Sequence, residues 1–596
     1  GMYLDNNAIG ENYGTIKTAP NTTKDGIIGV VAMNGAVIKN YGTIEIKGSG
    51  NTGIFLSKGK SEGTVPQDLD GSKGLEEKKQ LPTGKKVSGI DINAPGDGTA
   101  TIKRNGRVIT PTYVDTITSS ANAPKVRSGA TELDLRAANL NNIPSLSQAS
   151  SIGMYIDTSG VNYTNPIKGL DKLTNLKRVN LIFGTEAARY TSSKDIKIGQ
   201  NILSPYNKVI STLSAGGGKK FTINSASLTW ITTGTQNSDD TFNAVYLSKI
   251  PYTAFAKDKD TYNFMDGLEQ RYGVEGLNSR EKELFKKLNK IGNNERILLQ
   301  QAFDEMMGHQ YANLHQRVQS TGDILDKEFT HLREDWATAS KKSHKVKTFG
   351  ARGEYKTNTA GVINTTNDAY GVAYVHENET VKLGNSSGWY AGAVNNNFRF
   401  KDVGKSRESQ TMLKAGIFKT MSPASDHNGS LTWTIAGEAF ASINNMKRRY
   451  WIVDETFEAK SDYTTYGAAL KNEIGKGFRT SERTSIRPYG ALNLEYGTYS
   501  GIKEEGPMAL ELKGNDYFSV QPELGISFNY NKPVGIKSHF KASLTAAYAN
   551  EVGKVNDVKN KAKLKGTTTD YYELRGDKED RKGNGKFDLN IGVDNT

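Results

Sequence analysis

From about Val346 to Thr596 the chain repeats a period-two alternation in which most apolar stripes contain an aromatic residue. Phe518, Val520, Pro522, Leu524, Ile526, Phe528 and Tyr530 alternate with Tyr517, Ser519, Gln521, Glu523, Gly525, Ser527 and Asn529. Phe587, Leu589, Ile591 and Val593 alternate in the same way with Lys586, Asp588, Asn590 and Gly592. Successive side chains of a strand point to opposite faces, so such a segment is apolar on one side and hydrogen-bonding on the other. Strands of roughly ten residues with this division are the mark of a transmembrane β-barrel. The expected lipid-facing residues are Phe518, Leu524, Ile526, Phe528, Phe587, Leu589 and Ile591. The expected polar residues facing the lumen are Arg352, Glu354, Glu438, Arg487, Glu495, Glu523 and Lys541. Their role is to solvate the lumen and pair with charges inside it, in preference to catalysis.

Composition fits long β structure with many tight turns. Of 596 residues, 62 are glycine and 15 proline, 36% are hydrophobic and none is cysteine. A chain of this length exceeds one ordinary core and should divide into two or three units. No apolar run reaches the roughly eighteen residues of a transmembrane helix. The net charge of +13 is scattered through loops and strands. Nucleic-acid binding would need it clustered with aromatics on one surface, so the expected partners are anionic outer-membrane lipid and host surface polymers. Gly1 to Asp5 has neither a basic nor an apolar leader segment, and its position inside a repeat suggests a fragment.

The first part of the chain is that repeat. Asn12-Tyr-Gly-Thr-Ile16 returns as Asn40-Tyr-Gly-Thr-Ile44, and related pieces occur at Gly53–Leu56, Gly89–Ile92 and Gly153–Asp157. Short apolar strips between Gly and Asn corners predict coils of a right-handed parallel β-helix. The repeat is irregular between about 58 and 130. A cap is expected near 170–255, around Leu228, Trp230 and Ile231.

A helical stretch follows. Asn278 and Glu281 resemble a capping box, with Leu284, Leu288 and Ile291 at helical spacing. Leu299, Phe303 and Met307 mark a second helix, and Leu325, Phe329, Leu332 and Trp336 a third. Between these, Gly308 to Ser320 is polar and includes His309, Gln310, Asn313, Gln316 and Arg317. It reads either as a solvated surface helix or as one filling a water-lined pore.

Repeat region, polar helix and barrel together resemble the monomeric autotransporters of type V secretion, over the whole chain. The C-terminal part is similar to the large fusobacterial-type autotransporter adhesins in Ile324–Phe329, Thr348–Lys356, Gly371–His376, Leu383–Tyr390, Asn515–Val520 and Gly583–Asn595. The resemblance implies an all-β fold: a passenger over 1–255, a helical linker and pore helix over 256–345, and an antiparallel barrel over 346–596. It implies twelve strands threaded by the helix, insertion by outer-membrane assembly machinery, and a passenger displayed outside the cell. About ten strands are legible, and Thr596 is not the aromatic residue on which family barrels finish, so a barrel short by two strands is expected. The implied function is an adhesin that binds a host receptor, a glycan or other bacteria. The rival is a passenger enzyme such as a serine protease, and a soluble all-β binding protein is a third reading.

Chemical motifs are weak. Gly59-Lys-Ser61-Glu-Gly63 and Gly384-Asn-Ser386-Ser-Gly388 match the nucleophile-elbow pattern without its strand–turn–helix context. All seven histidines follow residue 308, so the passenger region contains no Ser-His-Asp triad. Gly48-Ser-Gly-Asn-Thr-Gly53 precedes a strand-like segment instead of the helix a dinucleotide site needs. Asp68-Leu-Asp70-Gly71 is too short for a calcium loop. No cofactor, catalytic residue or metal site is expected. Asn293-Asn294 reads as a helix cap rather than a cleavage site.

Overall fold

The computed structural model describes most of residues 1–45, short strands between 52 and 134, and, apart from brief breaks, 151–334 and 342–595. The chain forms two compact units. One holds residues 1–303 with the short segments 452–454 and 566–572. The other holds 304–451, 455–565 and 573–596.

In the first unit the N-terminal strands pair in parallel. Met2–Leu4 lies beside Ile28–Met33, which lies beside Thr52–Ser57. Ile9–Asn12, Val37–Asn40 and Lys60–Gly63 form a second such stack, and Thr15–Lys17 pairs with Thr43–Glu45. The repeated motif sets the register: Thr15 lies opposite Thr43 and Ile16 opposite Ile44. Inward side chains are small or branched (Val30, Ala32, Ala36, Ile38, Ile44), and Met2, Leu4 and Ile16 pack against them. The elbow, dinucleotide and calcium patterns between 48 and 71, Asn278, Asn293-Asn294 and Trp336 lie outside the residues whose side chains are described.

A third parallel stack, Ser151–Ile156, Arg178–Phe183 and Lys220–Ser225, leads to an antiparallel hairpin of Trp230–Gln236 and Phe242–Lys249. Helix α1 (Gln200–Ala215) buries Ile202, Leu203, Tyr206, Ile210 and Leu213. Helices α2 (Lys259–Arg271) and α3 (Ser279–Asn289) belong to this unit. Asp258 caps α2 in a reciprocal box with Thr261. The unit boundary falls within α4 (Arg296–Met306), after Phe303. It therefore does not coincide with the expected linker limits at 256 and 345. The physical reason is aromatic packing: Tyr252 of this unit lies 6.2 Å from both Tyr272 and Phe285, and 5.7 Å from Phe303. These contacts tie the first helices to the strands before them.

The second unit is one antiparallel sheet around a helix. Its ten-strand path is β1 (Lys342–Tyr355), β2 (Thr365–Glu379), β3 (Ser386–Phe400), β4 (Arg407–Met421), β5 (Leu431–Ile452), β6 (Glu455–Lys476), β7 (Thr484–Lys503), β8 (Leu510–Pro533), β9 (Ser538–Asn550) and β10 (Gly583–Asn595). β1 and β10 are the two ends of that path. Helix α5 (Leu314–Glu334) has 21 residues. At about 1.5 Å per residue this is roughly the thickness of a bilayer's hydrocarbon layer. Gly308, at φ +82°, ends α4 and turns the chain into α5. A Cβ there would sit 2.3 Å from Leu510 Cδ1, so glycine answers both the left-handed turn and the close approach.

The later part of the polar stretch, from Leu314, and the third helical segment of the sequence, as far as Glu334, are one helix. Leu314, Val318, Leu325, Phe329 and Leu332 are all buried. Gly392 of β3 leaves room for them: a Cβ there would lie 2.8 Å from Leu325 Cδ2 and 3.0 Å from Phe329 Cζ.

Candidate functional site: the helix-filled lumen

Strand alternation divides the second unit into two surfaces. Outside, Leu524, Phe587, Leu589 and Ile591 are 60–81% exposed, and Phe518 and Phe528 are exposed as well. Ile526 shares their face and is half-buried. The outer stripes do not pack into a second sheet, which is the arrangement the soluble reading requires. Inside, polar side chains meet α5.

The centre of that interior is an ion cluster. Lys414 of β4 is fully buried, with Nζ 2.8 Å from both Asp326 of α5 and Glu438 of β5, and 3.9 Å from Glu495 of β7. Lys471 of β6 adds contacts of 2.7 Å to Asp326 and 3.0 Å to Glu438. Tyr390 donates to Glu438 at 2.8 Å and Tyr517 to Glu495 at 2.6 Å. Asp326, Glu438 and Glu495 are close enough together to resemble a metal-ligand set. The cations among them are the Lys414 and Lys471 ammonium groups, which already balance carboxylate charge.

Two more clusters lie toward the helix N-terminus. Arg317 donates to Glu408 of β4 at 2.6 Å and stacks over Phe400, 4.9 Å from its centroid. Tyr463 also donates to Glu408, and Thr321 joins Gln410 to Asn396. Before the helix, Arg448 of β5 grips Glu504 through two bonds of 2.8 and 2.7 Å, the fork geometry arginine suits. Its Nη1 reaches the Met306 carbonyl, and Tyr311 also donates to Glu504. Toward the C-terminal end of α5, Glu328 pairs with Lys347 of β1 at 2.7 Å, and His331 contacts Asp588 of β10. The helix thus engages strands at both ends of the sheet path, which is how the sheet comes to surround it.

Five of the seven expected lumen residues lie on this inner face. Glu438 and Glu495 are in the cluster. Glu523 pairs with Lys586 at 2.6 Å and Arg487 pairs with Glu473. Lys541 lies opposite Gly592 and next but one along β9 from Ser543, on the face of Thr545, which bonds Ser527. Arg352 and Glu354 are corrections: they lie on the outer face. Arg352 is 81% exposed and pairs with Asp368, while Glu354 pairs with Lys356 and Lys401. On β1 the inward set is the other parity, with Lys347 meeting α5. Charge alone suggested the lumen, but these residues lie near the end of the strand, where the outer surface also becomes polar.

Of the expected pore-helix residues, Arg317 and Gln316 are in α5. His309 and Gln310 occupy the turn before it, with Gln310 bonded to Asp402 at 2.9 Å. Asn313 directly precedes α5 and is buried with neither end of its amide bonded to protein. Asp326, Lys414, Lys471, Glu408, Arg448 and Glu504 escaped the sequence reading. The available signal was a charge at an inward parity on each strand, but it is visible only once the register is known.

Residues 345–596 match the family profile described as "Autotransporter beta-domain". No curated protein sequence matches the chain. Among solved structures, the chain is similar to the translocator domain of the autotransporter NalP from Neisseria meningitidis, with 9% identity, 46% of this chain and 95% of that one covered, and a TM-score of 0.34. It is also similar to the β-domain of the Bordetella autotransporter BrkA, with 14% identity, 43% and 96% covered, and a TM-score of 0.30. Residues 345–596, whose strands carry an apolar belt outside and close around the charge-paired helix α5 that precedes them, therefore form an autotransporter β-domain, the outer-membrane translocator unit of type V secretion.

Proposed function

We propose that the translocator domain secretes and anchors the chain's own N-terminal region, which works outside the cell as a β-helical adhesin. The observation that carries the reading is α5 itself. It joins the repeat region to the sheet and is held inside by Arg317–Glu408, Asp326–Lys414 and Glu328–Lys347. A segment seated this way is suited to be what remains in the pore after passage. The parallel stacks with a 28-residue offset between Met2 and Val30 support a β-helix, whose coils fold one upon another and so can draw the chain outward without ATP. The same offset recurs between Ile9 and Val37. An enzymatic passenger is the second reading, and the described residues contain no constellation that favours it.

The test is display and adhesion by cells producing the chain. External protease should remove the 1–303 region from intact cells, and displaying cells should bind host cells or partner bacteria more than cells lacking it. A passenger protected until lysis would refute secretion. A displayed passenger that raises no binding would refute the adhesin role alone.

A further inference from the structure

The outer surface of the sheet carries a second feature, at the strand ends near the start of α5. On β4 the outward residues run Ile417, Ala415, Leu413, Thr411, Ser409 and Arg407, from exposed apolar through small polar to cationic. The neighbouring strands repeat this gradient in register. Arg399 of β3 lies directly opposite Arg407, and Arg407 directly opposite Lys447 of β5. Three cations therefore stand side by side on one face across three strands. Like charges directly opposite each other on a sheet destabilise it, so the arrangement needs an anion to offset it. Protein supplies one at the edge only: Asp368 lies 2.8 Å from Arg399 and 3.5 Å from Arg352. No carboxylate among the described residues lies within ion-pair distance of Arg407 or Lys447.

We propose that Arg399, Arg407 and Lys447 bind the phosphate groups of phosphorylated glycolipid in the outer leaflet of the outer membrane. Their position decides the partner. They follow directly after the lipid-facing belt on the same strands, at the depth where headgroups replace acyl chains, and a guanidinium fork matches phosphate oxygens. On the step below, Asn395 donates to Ser409 and Thr411, whose hydroxyl hydrogens are left to donate to sugar oxygens. The outer-leaflet assignment rests on the proposed display of the passenger outside, because that sets which end of the sheet faces out.

The probe is bisphosphorylated lipid A added to the folded full chain in detergent. Wild-type protein should retain it through washing, and the triple variant Arg399→Gln/Arg407→Gln/Lys447→Gln should retain roughly tenfold less or lower still. Dephosphorylated lipid A should not be retained, and millimolar inorganic phosphate should not displace the bound lipid. Equal retention by wild type and the folded triple variant overturns the proposal, as does equal retention of dephosphorylated lipid. Displacement by inorganic phosphate overturns it in favour of a small-anion site. If the triple variant does not fold, the comparison of the two lipids on wild type decides alone. Orientation is read separately. The chain has no cysteine, so Val403→Cys, in the exposed turn between β3 and β4, gives a single label site. An impermeant maleimide should reach it on intact cells. Exclusion of the label refutes the outward placement, and with it the outer-leaflet source, whatever the retention assay shows.

Discussion

The two units bury charge in opposite ways. In the first, an apolar core of strands and helices encloses an ionic knot around Glu269. Lys249 is fully buried, 2.6 Å from Glu269 and 3.6 Å above the Tyr252 ring centroid, with Lys194 on the other side of the carboxylate. In the second, ion pairs and hydroxyls fill the interior and the large apolar side chains face outward. A water-soluble core gains by excluding water from carbon, whereas a sheet in lipid has already satisfied its carbon outside and gives its interior to polar groups. The same residue types therefore have different worth in the two regions.

The largest expected effect tests the polar interior. Lys414→Met leaves Asp326, Glu438 and Glu495 facing one another with only Lys471 between them. Removing one partner of a buried ionic set costs about 3–5 kcal/mol. Urea titration of the folded protein, followed by the heat-modifiable gel mobility of the barrel, should show that loss. An unchanged midpoint would mean that lumen water screens the cluster, and that the interior is wetter than its geometry indicates.

Glu269→Gln makes the matching break in the first unit, with an expected loss of about 3 kcal/mol for stranding the Lys249 charge. Here pH offers a second route. Burial alone would raise the Glu269 carboxyl, but Lys194 and Lys249 outweigh burial and hold it at about 2. A folded-state value below the unfolded one, about 4.3, gives stability that is complete above that value. It is lost as pH falls from there toward 2. Thermal unfolding of this unit should weaken over that window in wild type and lose the Glu269 share of the dependence in Glu269→Gln.

Leu524→Arg probes the outer surface. The side chain is 73% exposed, so in a soluble protein the change would cost little. On a lipid face it costs roughly 2–3 kcal/mol. Unfolding compared in bilayer vesicles and in a short-chain zwitterionic detergent should show the penalty chiefly in the bilayer. Equal tolerance in both would remove the contrast between the two units.

What the sequence revealed follows the same division. Alternation located all ten strands of the main sheet path, because exposure to lipid on one side forces a strict period of two. The lumen partners were harder to read. Glu438 and Lys414 are 24 positions apart in the chain and meet only through the β4–β5 register, and Asp326 reaches them from a helix. Arg352 and Glu354 were misplaced because charge was read as lumen-facing, whereas near this strand end the inward positions are Ala351, Gly353 and Tyr355 and the charges fall on the outward parity. The apolar stripe of α5 was legible as a helix, but its continuity with the polar turn before it was not. In the first unit the Asn-Tyr-Gly-Thr-Ile repeat predicted parallel pairing at its own spacing, while the aromatic packing that joins α2 and α3 to the strands left no periodic trace.

The smallest effect sharpens the comparison most narrowly. Trp230 is buried in the first unit, and its Nε1 donates to Asn289 Oδ1 at 3.0 Å. Trp230→Phe keeps much of the apolar area and removes one donor, leaving the Asn289 oxygen without it. In an apolar core that loss should be about 1 kcal/mol, read as a small drop in the unfolding temperature of this unit. The second unit provides the control in Tyr517→Phe, which deletes the 2.6 Å bond to Glu495. That acceptor is a buried carboxylate that keeps the Lys414 ammonium 3.9 Å away. If the tryptophan change costs more than the tyrosine change, the first unit excludes water more completely than the second; the reverse order would mean that the ion cluster around α5 is the drier of the two.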